Sequence, residues 1–348
     1  MKEALLRVLN GEILTTSEAY ALMCELMQGK LTPAQMGAIL GVLRVRGERK
    51  EELLGFAQAM RDFAIPFSVP SGVLVADNCG TGGDGKGTMN ISTGAALLAF
   101  ALGVPIVKHG NRSVSSRSGS ADFLESLGFP VDLPKESMEA LFATTGFAFL
   151  YAPLYHPAMR TVQGVRRELG VRTVFNVLGP LTTPCSVAYK MVGVYDQKLL
   201  EPVAYVLSLL GVRRGLAVWG EPGVDEVSVS GTTHCILVTE GGMETLTFHP
   251  REVGLREHPV EAIQGGSTHD NAQLFLEILQ GKKKEAHYEA LVLNTAFLVW
   301  LAERAETIPQ ALEQVEGIVQ SGEALERIQE LVAAARGIRG GAENGKHS

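Results

Sequence analysis

Up to Pro66 the apolar positions recur three and four residues apart, the spacing of one helix face. Ala19, Leu22, Met23 and Leu26 form one stripe, Met36, Ile39, Leu40 and Leu43 a second, and Leu53, Leu54, Ala57 and Met60 a third. Start and stop signals frame these stripes. Thr15 with Glu18 is a capping-box pair and Gly29 is placed to end that helix; Thr32-Pro33 with Gln35 opens the next, and Gly47 closes it. The stripes exceed what short helices can hide among themselves, so part of that surface is expected to meet another domain or a second subunit.

From Val73 the period changes to short β-branched runs alternating with helical segments, which predicts an α/β fold with a mainly parallel central sheet flanked by helices. The candidate strands are Val73 to Ala76, Val104 to Val107, Phe147 to Tyr151, Met191 to Tyr195, Leu216 to Trp219 and Cys235 to Thr239. Ligands of such sheets collect beyond the carboxyl ends of the strands. Between Pro157 and Pro184 the alternation stops, and a helix carrying Met159, Val162, Val165 and Leu169 runs to Gly170. Past Asp270 the pattern is helical, over Ala272 to Leu279, Tyr288 to Ala302 and two amphipathic segments ending near Ala335. The glycine- and charge-rich stretch 337–348 reads as a disordered tail.

A chain of 348 residues with 46% hydrophobic and 20% charged positions is an ordinary globular composition, and its length favours two domains. A net charge of −7 argues against general nucleic-acid binding, which needs clustered Lys and Arg. The basic group Lys108, Arg112 and Arg117 therefore reads as a pocket. Cys24, Cys79, Cys185 and Cys235 lie far apart without CxxC spacing, so neither a zinc ribbon nor a disulfide framework is indicated. No secretory leader is apparent at Met1, and no run approaches the roughly 18 apolar residues of a membrane span. The expectation is a cytoplasmic protein with no membrane partner.

The chemistry is concentrated between Cys79 and Asp122, in three polar loops. Gly80 to Gly87 has glycine at five of eight positions, which lets backbone N–H groups approach a ligand. Asn90-Ile91-Ser92-Thr93 opens a helix, whose free N–H groups and hydroxyls suit an anion. Lys108-His109-Gly110-Asn111-Arg112-Ser113-Val114-Ser115-Ser116 supplies cations, hydroxyls and amides, and Ser118 to Asp122 caps a further helix. Neither a P-loop nor a dinucleotide fingerprint is present. A multiply phosphorylated small molecule fits this series of cradles. Asp225-Glu226, in the loop after the strand ending at Trp219, is a carboxylate pair of the kind Mg²⁺ selects.

Gly80-Thr81-Gly82-Gly83-Asp84, Asn90-Ile91-Ser92-Thr93 and Lys108-His109-Gly110-Asn111-Arg112 with Ser115-Ser116 together resemble the anthranilate phosphoribosyltransferase family, in order and spacing and nearly end to end. The resemblance implies transfer of a phosphoribosyl group from phosphoribosyl pyrophosphate to anthranilate, in tryptophan synthesis. It implies a small helical domain, residues 1–66 completed by about 157–184, beside an α/β domain of 70–156 and 185–336. It also implies a homodimer formed through the helical domain.

For the site, the resemblance implies that Gly80, Gly83, Asp84 and Thr88 hold the donor, with Asn90, Ile91, Ser92 and Thr93 on its 5-phosphate. Lys108, His109, Gly110, Asn111, Arg112, Ser113, Val114, Ser115, Ser116 and Ser120 face the phosphates. Two Mg²⁺ ions are implied, one touching Ser92 and one held by Asp225 and Glu226. Arg166, with Asn111 and the Gly80 backbone, takes the anthranilate carboxylate. Catalysis is expected to be electrostatic, with Lys108 and His109 as the candidates for any direct role. The alternatives are a pyrimidine nucleoside phosphorylase, which lacks the metal pair, and a non-catalytic nucleic-acid-binding homologue, which the acidic net charge disfavours. Thr183 stands where relatives usually carry Asn, and Trp219 where they carry His; the bulk of Trp219 is expected to bear on the packing of the acidic loop.

Overall fold

The computed structural model describes residues 2–113, 118–282 and 285–344. The chain opens with α1 (Lys2–Leu9), α2 (Thr16–Met27), α3 (Pro33–Arg46) and α4 (Lys50–Asp62). Both expected capping boxes form. Thr15 accepts from the Glu18 amide at 3.3 Å while Glu18 accepts from the Thr15 amide at 2.9 Å, and Thr32 and Gln35 repeat the exchange. Gly47 ends α3 at φ 80°, a conformation that costs glycine nothing. Glu52 is fully buried among these helices. It is neutralised by Arg46 at 2.7 Å and accepts the Leu14 and Arg49 amides, so one carboxylate ties three segments together.

The remainder is built on a sheet with order β3-β2-β1-β4-β5-β6-β7. Its first five strands, β1 (Ala76–Gly80), β2 (Ile106–Gly110), β3 (Phe147–Tyr151), β4 (Tyr189–Gly193) and β5 (Arg214–Gly220), are parallel. The last two, β6 (Thr233–Thr239) and β7 (Gly242–Phe248), are antiparallel. Helices α5 (Ile91–Ala101), α6 (Ser120–Ser126), α7 (Lys135–Thr145) and α8 (Ala152–Tyr155) lie between the early strands. They are followed by α9 (Arg160–Leu169), α10 (Val174–Leu178) and α11 (Leu200–Leu209), and then by α12 (Thr268–Leu279), α13 (Ala286–Leu301), α14 (Ile308–Gln320) and α15 (Glu323–Asn344).

Strand alternation divides the interior in two. Met191, Leu216 and Val218 face a core shared with α5, α13, α14 and α15; Val192, Val194 and Ala217 face a second core shared with α11 and the first four helices. Helices α9 and α10, the excursion after Pro157, pack on α2, α3 and α4, and the Thr161 hydroxyl donates to the Leu26 carbonyl at 3.1 Å.

Several sequence expectations shift, among them the fourth strand, which runs Tyr189–Gly193 rather than Met191 to Tyr195. The first strand starts at Ala76 rather than Val73, because the exposed Val73 and Leu74 are outside the sheet while polar Asp77 and Asn78 are inside it with partners. The second runs three residues further, so Lys108 and His109 belong to β2 and not to a loop. Residues 337–344, expected in a disordered tail, continue α15. Strand β7 has no counterpart among the candidate strands; it is an edge strand whose residues are mostly exposed.

Gly55 sits in the middle of α4, where glycine costs about 1 kcal/mol relative to alanine. A Cβ there would overlap the Thr16 carbonyl and come within 2.9 Å of the Ala19 Cβ, so the α2–α4 contact requires a bare backbone. Gly55→Ala is expected to destabilise the fold by about 1–3 kcal/mol, measured by chemical denaturation; an unchanged midpoint would show that the two helices are not held this closely.

Candidate functional site

Strand order reverses at β1: β2 and β3 lie on one side of it, β4 and β5 on the other, and this is where a doubly wound sheet opens a crevice. At that point Gly80 and Gly193, the last residues of β1 and β4, are in register. The loop after β5 folds over both. Gly220 and Val224 exchange backbone hydrogen bonds at 3.0 and 2.8 Å, a tight turn that delivers Asp225 and Glu226 onto the strand ends. A Cβ on Gly80 would overlap the Asp225 carboxylate, and one on Gly193 would overlap the Asp225 carbonyl. Gly80, expected as bare backbone for a ligand, is therefore also the seat of the acidic loop. Asn294 of α13 anchors the loop from behind, accepting from the Val227 amide at 2.9 Å and donating to the Val227 carbonyl at 2.8 Å.

Both acids are 8% exposed. Asp225 accepts from the Gly82 amide at 2.6 Å and Glu226 from the Ser92 amide at 3.2 Å, so the doublet joins the first glycine loop to the start of α5. Burial, with the nearby Asp84 charge, pushes the Asp225 carboxyl up to about 7. Burial also raises Glu226 well above the carboxylate range, Asp225 adding to the effect and Lys108 opposing it. Asp84 Oδ1 accepts from the Lys86 amide at 3.0 Å, whereas its Oδ2 is buried without a partner. Three carboxylates thus converge with too little positive charge, and their hard oxygens suit a divalent cation of the magnesium class. No group of three or more His, Cys, Asp or Glu side chains among the described residues forms a ready ligand cage. Such an ion would complete its shell with ligand oxygens and water, as Mg²⁺ does beside phosphates.

The remaining expected residues fall in different places. Asn90 joins two loops, donating to the Ser118 carbonyl at 3.2 Å and accepting from Asn271 at 2.9 Å. Ile91 and Thr93 are buried in the first turn of α5. Thr88 pairs with Gln264, so the 263–271 segment forms a wall of the site. Lys108 is buried rather than displayed in a loop; its ammonium donates to the Asn78 carbonyl at 2.7 Å, and Asn78 in turn donates to the Ser92 carbonyl at 2.8 Å. His109 points to the opposite face, with Nδ1 at 3.3 Å from the Gly179 carbonyl and its ring 5.0 Å from that of His156. Burial lowers it to about 3, so its imidazole is neutral near pH 7.

Gly110 gives way to Ser120, whose hydroxyl a Cβ at 110 would overlap, and Ser120 hydrogen-bonds the backbone of Asn111 at 3.2 Å. The Ser113 amide donates to Asp122 at 2.9 Å. Arg112, expected as a free cation, is paired with Glu125 and Asp122 and bonds the Tyr151 hydroxyl at 3.0 Å, so its charge is already offset. Val114, Ser115, Ser116 and Arg117 lie outside the described residues.

Arg166 of α9 has its guanidinium 5.2 Å from the Phe175 ring centroid and is partly buried, and no acidic side chain pairs with it among the described residues. A desolvated cation resting on a ring keeps its charge available for an anion. Thr183 bonds the buried Asp77 at 2.6 Å and accepts from Lys190 at 2.7 Å, completing the Asp77–Lys190 ion pair beneath β1. Trp219 lies against His234 across the β5–β6 ladder, the rings tilted with centroids 5.6 Å apart, and packs with the core containing Ala217; the acidic loop is anchored from the other core through Asn294. Asn78, Asn294 and Asn271 give no sequence signal, since a single amide shows nothing locally of the partner it meets across the fold.

Two family descriptions match this chain: a glycosyl transferase helical bundle domain over residues 2–64 and a glycosyl transferase α/β domain over 72–325. The anthranilate phosphoribosyltransferase of Brevibacillus brevis is 45% identical over 96% of this chain and 98% of its own length, and that of Moorella thermoacetica is 44% identical over 96% and 98%. The crystal structure of the Thermus thermophilus anthranilate phosphoribosyltransferase superposes with a TM-score of 0.88 at 42% identity, covering 96% of this chain and 99% of that one. The Saccharomyces cerevisiae enzyme in complex with PRPP and Mg superposes with a TM-score of 0.86 at 28% identity, covering 97% and 99%. Matched from end to end in sequence and fold, with the switch-point crevice lined by glycines and acids, the chain belongs to the anthranilate phosphoribosyltransferase family.

Proposed function

We propose that this protein transfers the phosphoribosyl group of phosphoribosyl pyrophosphate to the amine of anthranilate, releasing pyrophosphate. The observation that carries this reading is the buried Asp225–Glu226 pair seated over Gly80 and Gly193, within a chain 45% identical to a named enzyme of that activity. Departure of pyrophosphate leaves positive charge at the sugar C1 and negative charge on the leaving group, so catalysis rests on positioning and electrostatics. Asp225, Glu226 and the Ser92 hydroxyl would hold Mg²⁺, in our reading as two ions, which supply charge neutralisation to the leaving pyrophosphate. The 80–87 loop and the start of α5 orient the donor phosphates, joined by Asn111, Ser113 and Ser120. Residues 114–116 are assigned to the same role from the motif alone.

Arg166 takes the acceptor carboxylate, leaving the aromatic amine to face the sugar. That amine is uncharged near neutral pH and needs no strong base, so the reading does not depend on the buried, neutral His109 imidazole. We read residues 1–66 with 157–184 as one helical unit, on the packing of α9 and α10 against α2 to α4. Its exposed Leu6, Leu9, Ile13 and Val45 support a homodimer contact. The four cysteines are free thiols, in keeping with a cytoplasmic enzyme.

The direct test follows loss of anthranilate fluorescence with phosphoribosyl pyrophosphate and Mg²⁺; no turnover would refute the reading. Asp225→Ala with Glu226→Ala is expected to cut kcat at least about 100-fold and to weaken the dependence on Mg²⁺, and unchanged kinetics would remove the metal assignment. Arg166→Ala is expected to raise the anthranilate KM by about 10- to 100-fold, the worth of a charged hydrogen bond; a defect confined to the donor KM would misplace the acceptor pocket.

In the ion-free protein Asp225 holds its proton to about pH 7, above the ordinary 3.8 of the unfolded chain. The folded state binds more protons between those values, so this group's contribution to stability falls as pH rises through the window. His156, lowered to about 4 by burial, and His109 act in the opposite sense. A comparison of variants isolates the acid: Asp225→Asn in chelator is expected to gain at least about 1.4 kcal/mol over the parent between pH 4 and pH 8. Equal pH slopes by urea denaturation would show that Asp225 is not desolvated.

A further inference from the structure

Arg172 lies two residues past Gly170, the left-handed stop of α9, and two before α10. Its Nη1 donates to the Gly83 carbonyl at 2.6 Å, across 89 residues of chain. Its guanidinium lies 4.2 Å from the centroid of the Tyr195 ring. Among the described residues no carboxylate pairs with it, so the stack on Tyr195 is what holds the charge in place. Tyr195 is itself tied to the same glycine loop: its amide donates to the Thr81 hydroxyl at 3.1 Å, and the Thr81 amide donates to the Gly193 carbonyl at 2.9 Å. Gly83 is at φ 75°, and a Cβ on it would press to 2.8 Å from Arg172 Cδ. Loop, ring and guanidinium thus close a small circuit joining the end of β4, the first glycine loop and the segment that carries Arg166.

We propose that Arg172 is a positioning residue for the phosphoribosyl donor, latching the glycine loop to the acceptor-side segment so that donor and acceptor groups are held in one frame. The inference rests on the transferase reading given above. The physical link is the planar trans peptide between Gly83 and Asp84. With the Gly83 carbonyl pinned to Arg172, the Asp84 N–H is forced to the opposite side of that peptide. The Asp84 side chain follows: one carboxylate oxygen caps the Lys86 amide and the other stays unpartnered beside Asp225. Released from Arg172, a loop with positive φ at Gly82, Gly83, Gly85 and Gly87 has many other conformations open to it, and donor binding must then order it.

The test uses full-length Arg172→Ala, Arg172→Lys and Tyr195→Leu. Amide hydrogen exchange across 80–87 is expected to speed up in Arg172→Ala without a change in the protection of the core strands or in Tm. The KM for phosphoribosyl pyrophosphate is expected to rise about tenfold with the loss of one charge-assisted hydrogen bond, and that for anthranilate to change by less than about twofold, because α9 keeps its packing on α2 and α3 without the latch whereas the glycine loop does not keep its order. Arg172→Lys, which can still reach the carbonyl but cannot stack as a plane, is expected to recover part of the donor KM, and Tyr195→Leu to lose part of it.

Unchanged exchange at 80–87 in Arg172→Ala would overturn the proposal. So would faster exchange that merely tracks a lowered Tm, since Arg172 would then be a structural residue. A fall in kcat with the donor KM and loop exchange unaltered would also overturn it, by making Arg172 a direct contact of the reacting groups. Absence of turnover in the parent protein would count against the transferase reading alone, because hydrogen exchange still decides whether the latch exists.

Discussion

The arrangement depends on one costly feature, the burial of two adjacent carboxylates over the ends of the two central strands. Charges taken out of water are expensive unless compensated. Here compensation is partial: two backbone amides, from Gly82 and Ser92, and the buried Lys108 ammonium, which is linked to Glu226 only by way of Asn78 and Ser92. The shortfall appears as raised affinity of Asp225 and Glu226 for protons. Uncompensated hard carboxylate oxygens of this kind are what a divalent cation would neutralise. Several otherwise unrelated residues follow from that constraint: glycine at 80 and 193, because the loop sits where a Cβ would be, and asparagine at 294, because a loop in this position needs both its donor and its acceptor met from behind.

The cations are handled in the opposite way. Arg166 and Arg172 rest on the rings of Phe175 and Tyr195, and Lys108 is held by an asparagine carbonyl. Neither ring carries a charge that would cancel the guanidinium resting on it, whereas the Lys108 ammonium is set against Glu226. Arg112 shows the contrast, since Glu125 and Asp122 consume its charge at the surface. Because α9 carries Arg166, the short link from α9 to α10 carries Arg172, and both helices pack on the first four, these two cations are positioned by that helical packing while the acids are positioned by the sheet. The spacing between these cations and the acidic doublet therefore depends on the contact between the two parts, not on either alone.

Much of this was legible in the chain itself. Capping pairs, proline at a first helical position and stop glycines are local, so Thr15, Glu18, Thr32, Pro33 and Gly47 marked their helices without reference to anything distant. The alternation of short strands and helices announced a parallel sheet, and the three polar loops announced phosphate chemistry, because motifs that bind through backbone carry their own glycines. What the chain could not show was which polar residues lie inside. Lys108 reads as a loop residue and Asp77, Asn78 and Lys190 give no local sign of burial, yet all four are buried because each meets a partner from another strand or segment. The same is true of Gly80, whose reason is the Asp225 carboxylate 145 positions later, and of Arg172, whose reason is the Gly83 carbonyl. Local preferences set the elements and the chemistry on offer; pairing across the fold decided where charge could be buried, since the cost of desolvation is met only by groups that the chain brings together in space.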